Sequence, residues 1–236
     1  MRKIISIVML IIIVGCKNNN HKDAINHESS DHKKIHKSDN SNHNSANEYM
    51  RESSFQELIK RFESPERDAY QKPEKVLEYL GNIEGLTIMD IGAGTGYFSV
   101  KLAEKNAKVI AADVDEDFQE FIKNRIKENN LTTIETRKIP YDSPNLKDAE
   151  ADIVLIVNTY HHIENRTEYF QKVKKGTNAD GKLVVIDFFK VETPVGPPVN
   201  HKLSIDEVVK ELQKAGYTNF TINVDLLPYQ YIIEAR

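Results

Sequence analysis

Beyond residue 54, apolar positions recur with the period of a helix or of a strand, and glycine, proline, asparagine and aspartate interrupt them at short intervals. Phe55, Leu58, Ile59 and Phe62 predict a helix that stops near Ser64-Pro65, where proline disfavours continuation. Val76, Leu77 and Leu80, set between Pro73 and Gly81, predict a second short helix. The apolar run 86–91 reads as a buried strand, the glycines at 92, 94 and 96 as a turn, and 97–105 as a helix carrying Phe98, Val100 and Leu102. A strand over 108–113, a helix lined by Phe118, Phe121, Ile122 and Ile126, and a modest strand over 133–138 follow. Residues 152–157 are apolar on both pleat faces, as a central strand covered by helices should be. After them come a helix over 164–175, a turn at Asp180-Gly181 and a strand over 182–188. Ser204 with Glu207 three residues on makes a capping box for a helix over 204–215, closed by Gly216. Two strands near 220–224 and 229–234, separated by Leu227-Pro228, end the chain.

Repeated strand–helix units predict an α/β fold with a doubly wound, mostly parallel sheet, because parallel neighbours need crossovers and right-handed crossovers put helices on both faces. The last two strands are too close in sequence for a crossover, so an antiparallel C-terminal hairpin is expected.

Before residue 49 the pattern differs. Arg2 and Lys3 precede an apolar run over 4–14 that ends in Gly15-Cys16. A bilayer-crossing helix needs about 20 apolar residues. Residues 1–15 therefore read as a secretory signal whose positive flank stays in the cytoplasm while the rest is exported. An uncleaved anchor is the alternative. Ile13-Val14-Gly15-Cys16 resembles the lipobox of bacterial lipoproteins, which implies that the Cys16 thiol receives a diacylglycerol and becomes the new N-terminus. The resemblance implies a lipid anchor in the cell envelope. Lys17 is not the aspartate associated with inner-membrane retention, which points to the outer membrane. Residues 17–48 hold eight Asn, five His and five Ser against four apolar residues. That composition cannot bury a core, so residues 16–48 are expected to be the lipidated cysteine and a disordered tether, with the folded domain at 49–236. The tether histidines are irregularly spaced and read as solvated linker.

Composition narrows the chemistry. The net charge is −4 with no dominant pole, which gives no electrostatic case for nucleic acid as partner. Cys16 is the only cysteine, so the folded part has no internal disulfide, no cysteine-based zinc site and no catalytic thiol.

Asp90-Ile91-Gly92-Ala93-Gly94-Thr95-Gly96 follows a strand and opens a helix, the context that a nucleotide-binding turn requires. Glycine tolerates backbone angles closed to other residues and lets a ligand approach the main chain. A dinucleotide-dependent oxidoreductase would place its third glycine one position later. The spacing D-x-G-x-G-x-G instead resembles the first motif of class I S-adenosylmethionine-dependent methyltransferases, and the likeness runs through most of 70–236. It implies a Rossmann-like seven-stranded sheet ending in an antiparallel hairpin, with S-adenosyl-L-methionine as cofactor. It also implies that Asp90 and the backbone of Gly92, Gly94 and Gly96 lie beside the methionine part, and that Asp113 accepts from the ribose hydroxyls. Asp142, in the loop 139–143, is the candidate for the adenine amino group or else a turn former.

At the carboxyl end of the strand 152–157 stand Asn158, grouped with the cofactor residues, and then Thr159-Tyr160-His161-His162. Methyl transfer needs an acceptor held in line and, where required, a base, which histidine supplies near neutral pH. Adjacent histidines on an extended segment face opposite ways, so one of the two is expected in the pocket. Asp187 and His201 join them as candidate catalytic residues; such a cluster could also cap loop backbone or bind a metal. Pro65–Pro73, Tyr160-His161-His162 and Leu227–Tyr231 resemble a bacterial methyltransferase subgroup with no assigned substrate, and the class often folds a lid from the segment holding Arg67 to Gln71. The resemblance implies an enzyme acting on a small-molecule or lipid-like acceptor. The alternative is a non-catalytic S-adenosylmethionine-binding module anchored in the envelope.

Overall fold

The computed structural model describes residues 46–236; the stretch read as a secretory signal, Cys16 and the stretch read as a tether, as far as residue 45, lie outside the described residues. Seven strands form one sheet: β1 (Thr87–Ile91), β2 (Lys108–Asp113), β3 (Ile134–Lys138), β4 (Ala151–Val157), β5 (Thr177–Phe188), β6 (Phe220–Asn223) and β7 (Gln230–Ala235). Their order is β3-β2-β1-β4-β5-β7-β6. The first five run parallel, and β7 lies antiparallel between β5 and β6, the expected terminal hairpin.

Both faces of this sheet are buried, which is why the central strands are apolar throughout rather than alternating. Ile88 of β1, Leu155 of β4 and Val184 of β5 pack on one face with helices α4 (Pro73–Leu80), α5 (Tyr97–Glu104) and α6 (Glu116–Asn129). Met89, Val154 and Val185, one residue along in β1 and β5 and one back in β4, pack on the other with α7 (Arg166–Gly176) and α8 (Ile205–Lys214). The Ser204–Glu207 capping box is formed as the sequence predicts.

Three departures from expectation bear on the site. Asp180-Gly181 is not a turn between elements but lies within the long β5, where the pairing with β4 jumps from Ala151↔Thr177 to Ile153↔Lys182. The turn signal is absorbed as a bulge in a continuous strand. Ser64-Pro65 ends α2 (Phe55–Phe62) but also starts α3 (Pro65–Gln71), since proline is favoured in a first helical turn. Finally, a short helix α1 (Ala46–Arg51) begins inside the stretch read as tether.

Candidate functional site

The strand order reverses between β1 and β4, and ligands of open α/β sheets collect in the crevice at such a point. A cavity of about 700 Å³ opens there, a usual size for a small-molecule site. Its lining includes Gly92, Gly94 and Asp113, and also Tyr70, Phe188 and three histidines.

The glycine turn is shaped by close neighbours. Gly92 has φ 74°, and a Cβ there would lie 2.4 Å from the Thr159 side chain, so only glycine lets the segment after β4 close on the turn. The Gly94 N–H donates to one Asp113 carboxylate oxygen at 2.8 Å, and the Asp115 N–H donates to the other at 2.9 Å. Burial pushes the Asp113 carboxyl above its ordinary range against the pull of these backbone donors. Asp115 caps α6 through the Asp117 N–H. Asp113 thus ties the turn to the end of β2 while still lining the cavity.

Three expected cofactor residues stand elsewhere. Asp90 shares the pleat face of Ile88, so it points beneath the turn and not onto the cavity wall; it is 3% exposed and accepts from the Ser99 hydroxyl at 2.7 Å. Burial raises its carboxyl to about 6. Gly96 starts α5 and faces Ile122, outside the lining. Asp142 is exposed on a turn; its carbonyl accepts from Lys172, while its neighbours Pro140 and Tyr141 line the cavity.

The candidate reacting end departs from the extended geometry assumed for it. β4 leaves the sheet at Asn158 (φ 56°) and enters a 3₁₀ turn over Tyr160–His162. Neighbours in such a turn do not alternate, so both His161 and His162 line the cavity with ring centroids 4.3 Å apart. His161 Nδ1 lies 2.9 and 3.0 Å from the two Asp187 oxygens, in a pair whose side chains are 3% and 1% exposed. The Phe188 N–H fixes that carboxylate at 2.8 Å. A carboxylate on Nδ1 keeps a proton there and leaves Nε2 as the ring's acceptor, the arrangement of a general base. His162 is held by Asn47: its Nδ1 lies 3.2 Å from the amide oxygen, and the amide nitrogen donates to its carbonyl at 3.0 Å. Burial, reinforced by His161, lowers His162 to about 3 and keeps it neutral. His201 lines the same cavity beyond the proline-rich loop, which buried Lys202 braces through the Val191 carbonyl and Thr193 hydroxyl. Among the described residues, no group of three or more His, Cys, Asp or Glu is placed to hold a metal ion.

Asn158 also lines the cavity, yet its amide is spent on protein. It donates to Gln71 at 3.0 Å, Gln71 donates to Gln230 at 3.1 Å, and Gln230 donates back to Asn158. This closed ring of amides joins α3, the end of β4 and the start of β7. Each member satisfies another's buried acceptor. Sequence reasoning had flagged the segments holding Gln71 and Gln230 without giving those residues a role, and it missed Asn47 because polar composition masked a short helix. Above the turn, Glu63 accepts from Thr95 and from Arg125 at 2.8 Å, and the Phe62 ring lies 3.4 Å from where a Gly94 Cβ would be. Phe62 and Glu63, at the end of α2, thus cover the glycine turn.

A cofactor carrying a nucleoside and an amino-acid zwitterion fits these residues: two glycines open the backbone, Asp113 stands at the end of β2, and the buried Arg67 Nε finds no partner among the described residues. Comparison with known proteins agrees. Residues 89–185 match the family described as a methyltransferase domain. An uncharacterized methyltransferase of Staphylococcus carnosus (strain TM300) is 26% identical over 123 residues, which are 51% of this chain and 56% of that one. A demethylmenaquinone methyltransferase of Tropheryma whipplei (strain Twist) is 26% identical over 156 residues, 66% of this chain and 61% of that one. The chain thus spans little more than half the length of these curated relatives. The crystal structure of a SAM dependent methyltransferase from Aquifex aeolicus superposes with a TM-score of 0.71 at 25% identity, over 78% of this chain and 98% of that one.

Proposed function

The chain belongs to the class I S-adenosylmethionine-dependent methyltransferases, and from that premise we propose that it methylates a small-molecule or lipid-like acceptor bound beside His161. The observation that carries this reading is one cavity lined both by the glycine turn and by His161, whose Nδ1 is held from behind the cavity wall by buried Asp187. When bound, S-adenosylmethionine supplies a methyl group already activated by a positively charged sulfur. Gly92, Gly94 and Asp113 would hold it. His161 would take the proton that the acceptor loses, and Asp187 would stabilise the imidazolium that results. Neutral His162 would accept a hydrogen bond from the acceptor, and Tyr70 and Phe188, with ring centroids 6.1 Å apart, would pack against its apolar part.

The test is release of S-adenosylhomocysteine when the protein and S-adenosylmethionine are incubated with fractionated small-molecule and lipid extracts. The reading expects one fraction to support turnover that His161→Gln lowers by ~10²-fold or more, the usual worth of a general base. Turnover equal in both proteins would remove His161 from the chemistry. We also propose that Cys16 carries a lipid that holds the chain in the cell envelope, on the outer membrane. Incorporation of labelled fatty acid that is lost in Cys16→Ser supports this, and a soluble, unlabelled protein contradicts it.

A further inference from the structure

Among the described residues, Arg67 has no carboxylate in an ion pair with it. It stands on α3 in the cavity lining, with its guanidinium carbon 3.9 Å from the centroid of the Tyr97 ring. One Nη donates to the Phe62 carbonyl at 2.9 Å, while the buried Nε has no partner among the described residues. Burial lowers its pKa, the direction expected of a cation removed from water. The carboxylates near it are engaged elsewhere: Asp90 with the Ser99 hydroxyl, Glu63 with Thr95 and Arg125, and Asp68 with the Tyr97 hydroxyl. None is within ion-pair distance of Arg67 among the described residues. A half-buried guanidinium with a buried, unpartnered Nε is costly unless a ligand completes it. The guanidinium geometry suits a carboxylate held by two parallel hydrogen bonds.

We propose that Arg67 is the positioning residue that binds the α-carboxylate of the cofactor's methionine moiety, an inference that rests on the cofactor reading given above. The carboxylate is that cofactor's only anionic group, and Arg67 lines the cavity together with the glycine turn. Stacking on Tyr97 and the bond to the Phe62 carbonyl fix the plane of the fork before a ligand arrives, so little ordering is left to be done on binding. The second source of a carboxylate or similar anion is the acceptor itself, and the test separates the two.

Calorimetric titration of the intact chain with S-adenosylhomocysteine and with 5′-methylthioadenosine, which has the nucleoside and sulfur but no amino-acid end, gives a readout independent of turnover. In Arg67→Met, which keeps the stem against Tyr97, affinity for S-adenosylhomocysteine should fall roughly 10- to 100-fold, as for a lost charged hydrogen bond. Affinity for 5′-methylthioadenosine should be unchanged, and Arg67→Lys should recover part of the loss. Equal losses for both ligands would make Arg67 structural and overturn the proposal. No loss for either, in a variant with the parent's melting temperature, would overturn it in favour of an anion on the acceptor. A parent protein that binds 5′-methylthioadenosine and S-adenosylhomocysteine equally also overturns it while sparing the cofactor reading, whereas a parent that binds neither sinks both.

Discussion

Asp90→Asn separates what the glycine turn costs from what it does. The substitution keeps the shape of the side chain and an acceptor for Ser99 but removes a buried charge. Burial raises the Asp90 carboxyl from 3.8 to about 6, so at pH 7 the folded protein carries an ionised group that the unfolded chain carries at lower free energy. About two pH units at about 1.4 kcal/mol each make a cost of about 3 kcal/mol. Because the folded value is the raised one, this group's favourable contribution is fully present below pH 3.8, declines as pH rises and is gone above about 6. The variant should therefore be more stable at pH 7, by about 1 to 3 kcal/mol. The lower end allows for Arg67, which loses the partial compensation that Asp90 gives it. The advantage should fall to about half near pH 5 and vanish below the ordinary carboxylate range, following the linkage relation. Urea unfolding of both proteins at pH 7, 6, 5 and 4 measures it. A variant less stable at pH 7, or a gain that does not change with pH, would refute the assignment of this cost to a buried carboxylate.

The remaining predictions concern the neighbours of the turn. Gly92→Ala should cost about 1 to 3 kcal/mol of stability, because φ is 74° and the added methyl meets Thr159 at 2.4 Å; Thr159→Ala in the same protein should restore part of it in a urea titration. His162 is held neutral, with its pKa lowered from 6.5 to about 3, so its contribution is present above pH 6.5 and is lost as pH falls towards 3. His162→Gln should accordingly flatten the acid side of a melting-temperature profile, and an unchanged acid limb would count against the buried, neutral imidazole.

The sheet was legible because its strands are too apolar to be anything but covered on both faces; residues 152–157 alone required a central parallel strand, and the close spacing of 220–224 and 229–234 required a hairpin. The glycine turn was legible for the same reason: a motif between a strand and a helix has one place in this fold. What depends on side-chain direction was not. The two histidines lie in a 3₁₀ turn set by Asn158 at positive φ, and a sequence of five polar and aromatic residues does not announce that turn. Asp90 could be placed at the motif but not on the correct side of the strand until its pleat partner Ile88 was seen packed against α5. Asp180-Gly181 carries a turn signal that pairing with β4 overrides. Asn47 and the amide ring of Gln71, Asn158 and Gln230 join residues more than seventy positions apart, and no local pattern records such contacts.

The central claim is that the cavity above the glycine turn binds S-adenosylmethionine with Asp113 among its contacts. Calorimetry of the intact chain with S-adenosylmethionine, alongside Asp113→Ala, tests it most directly. The account predicts micromolar binding by the parent and a loss of at least roughly tenfold in the variant, the value of a charged hydrogen bond. Absence of binding to the folded parent protein would contradict it.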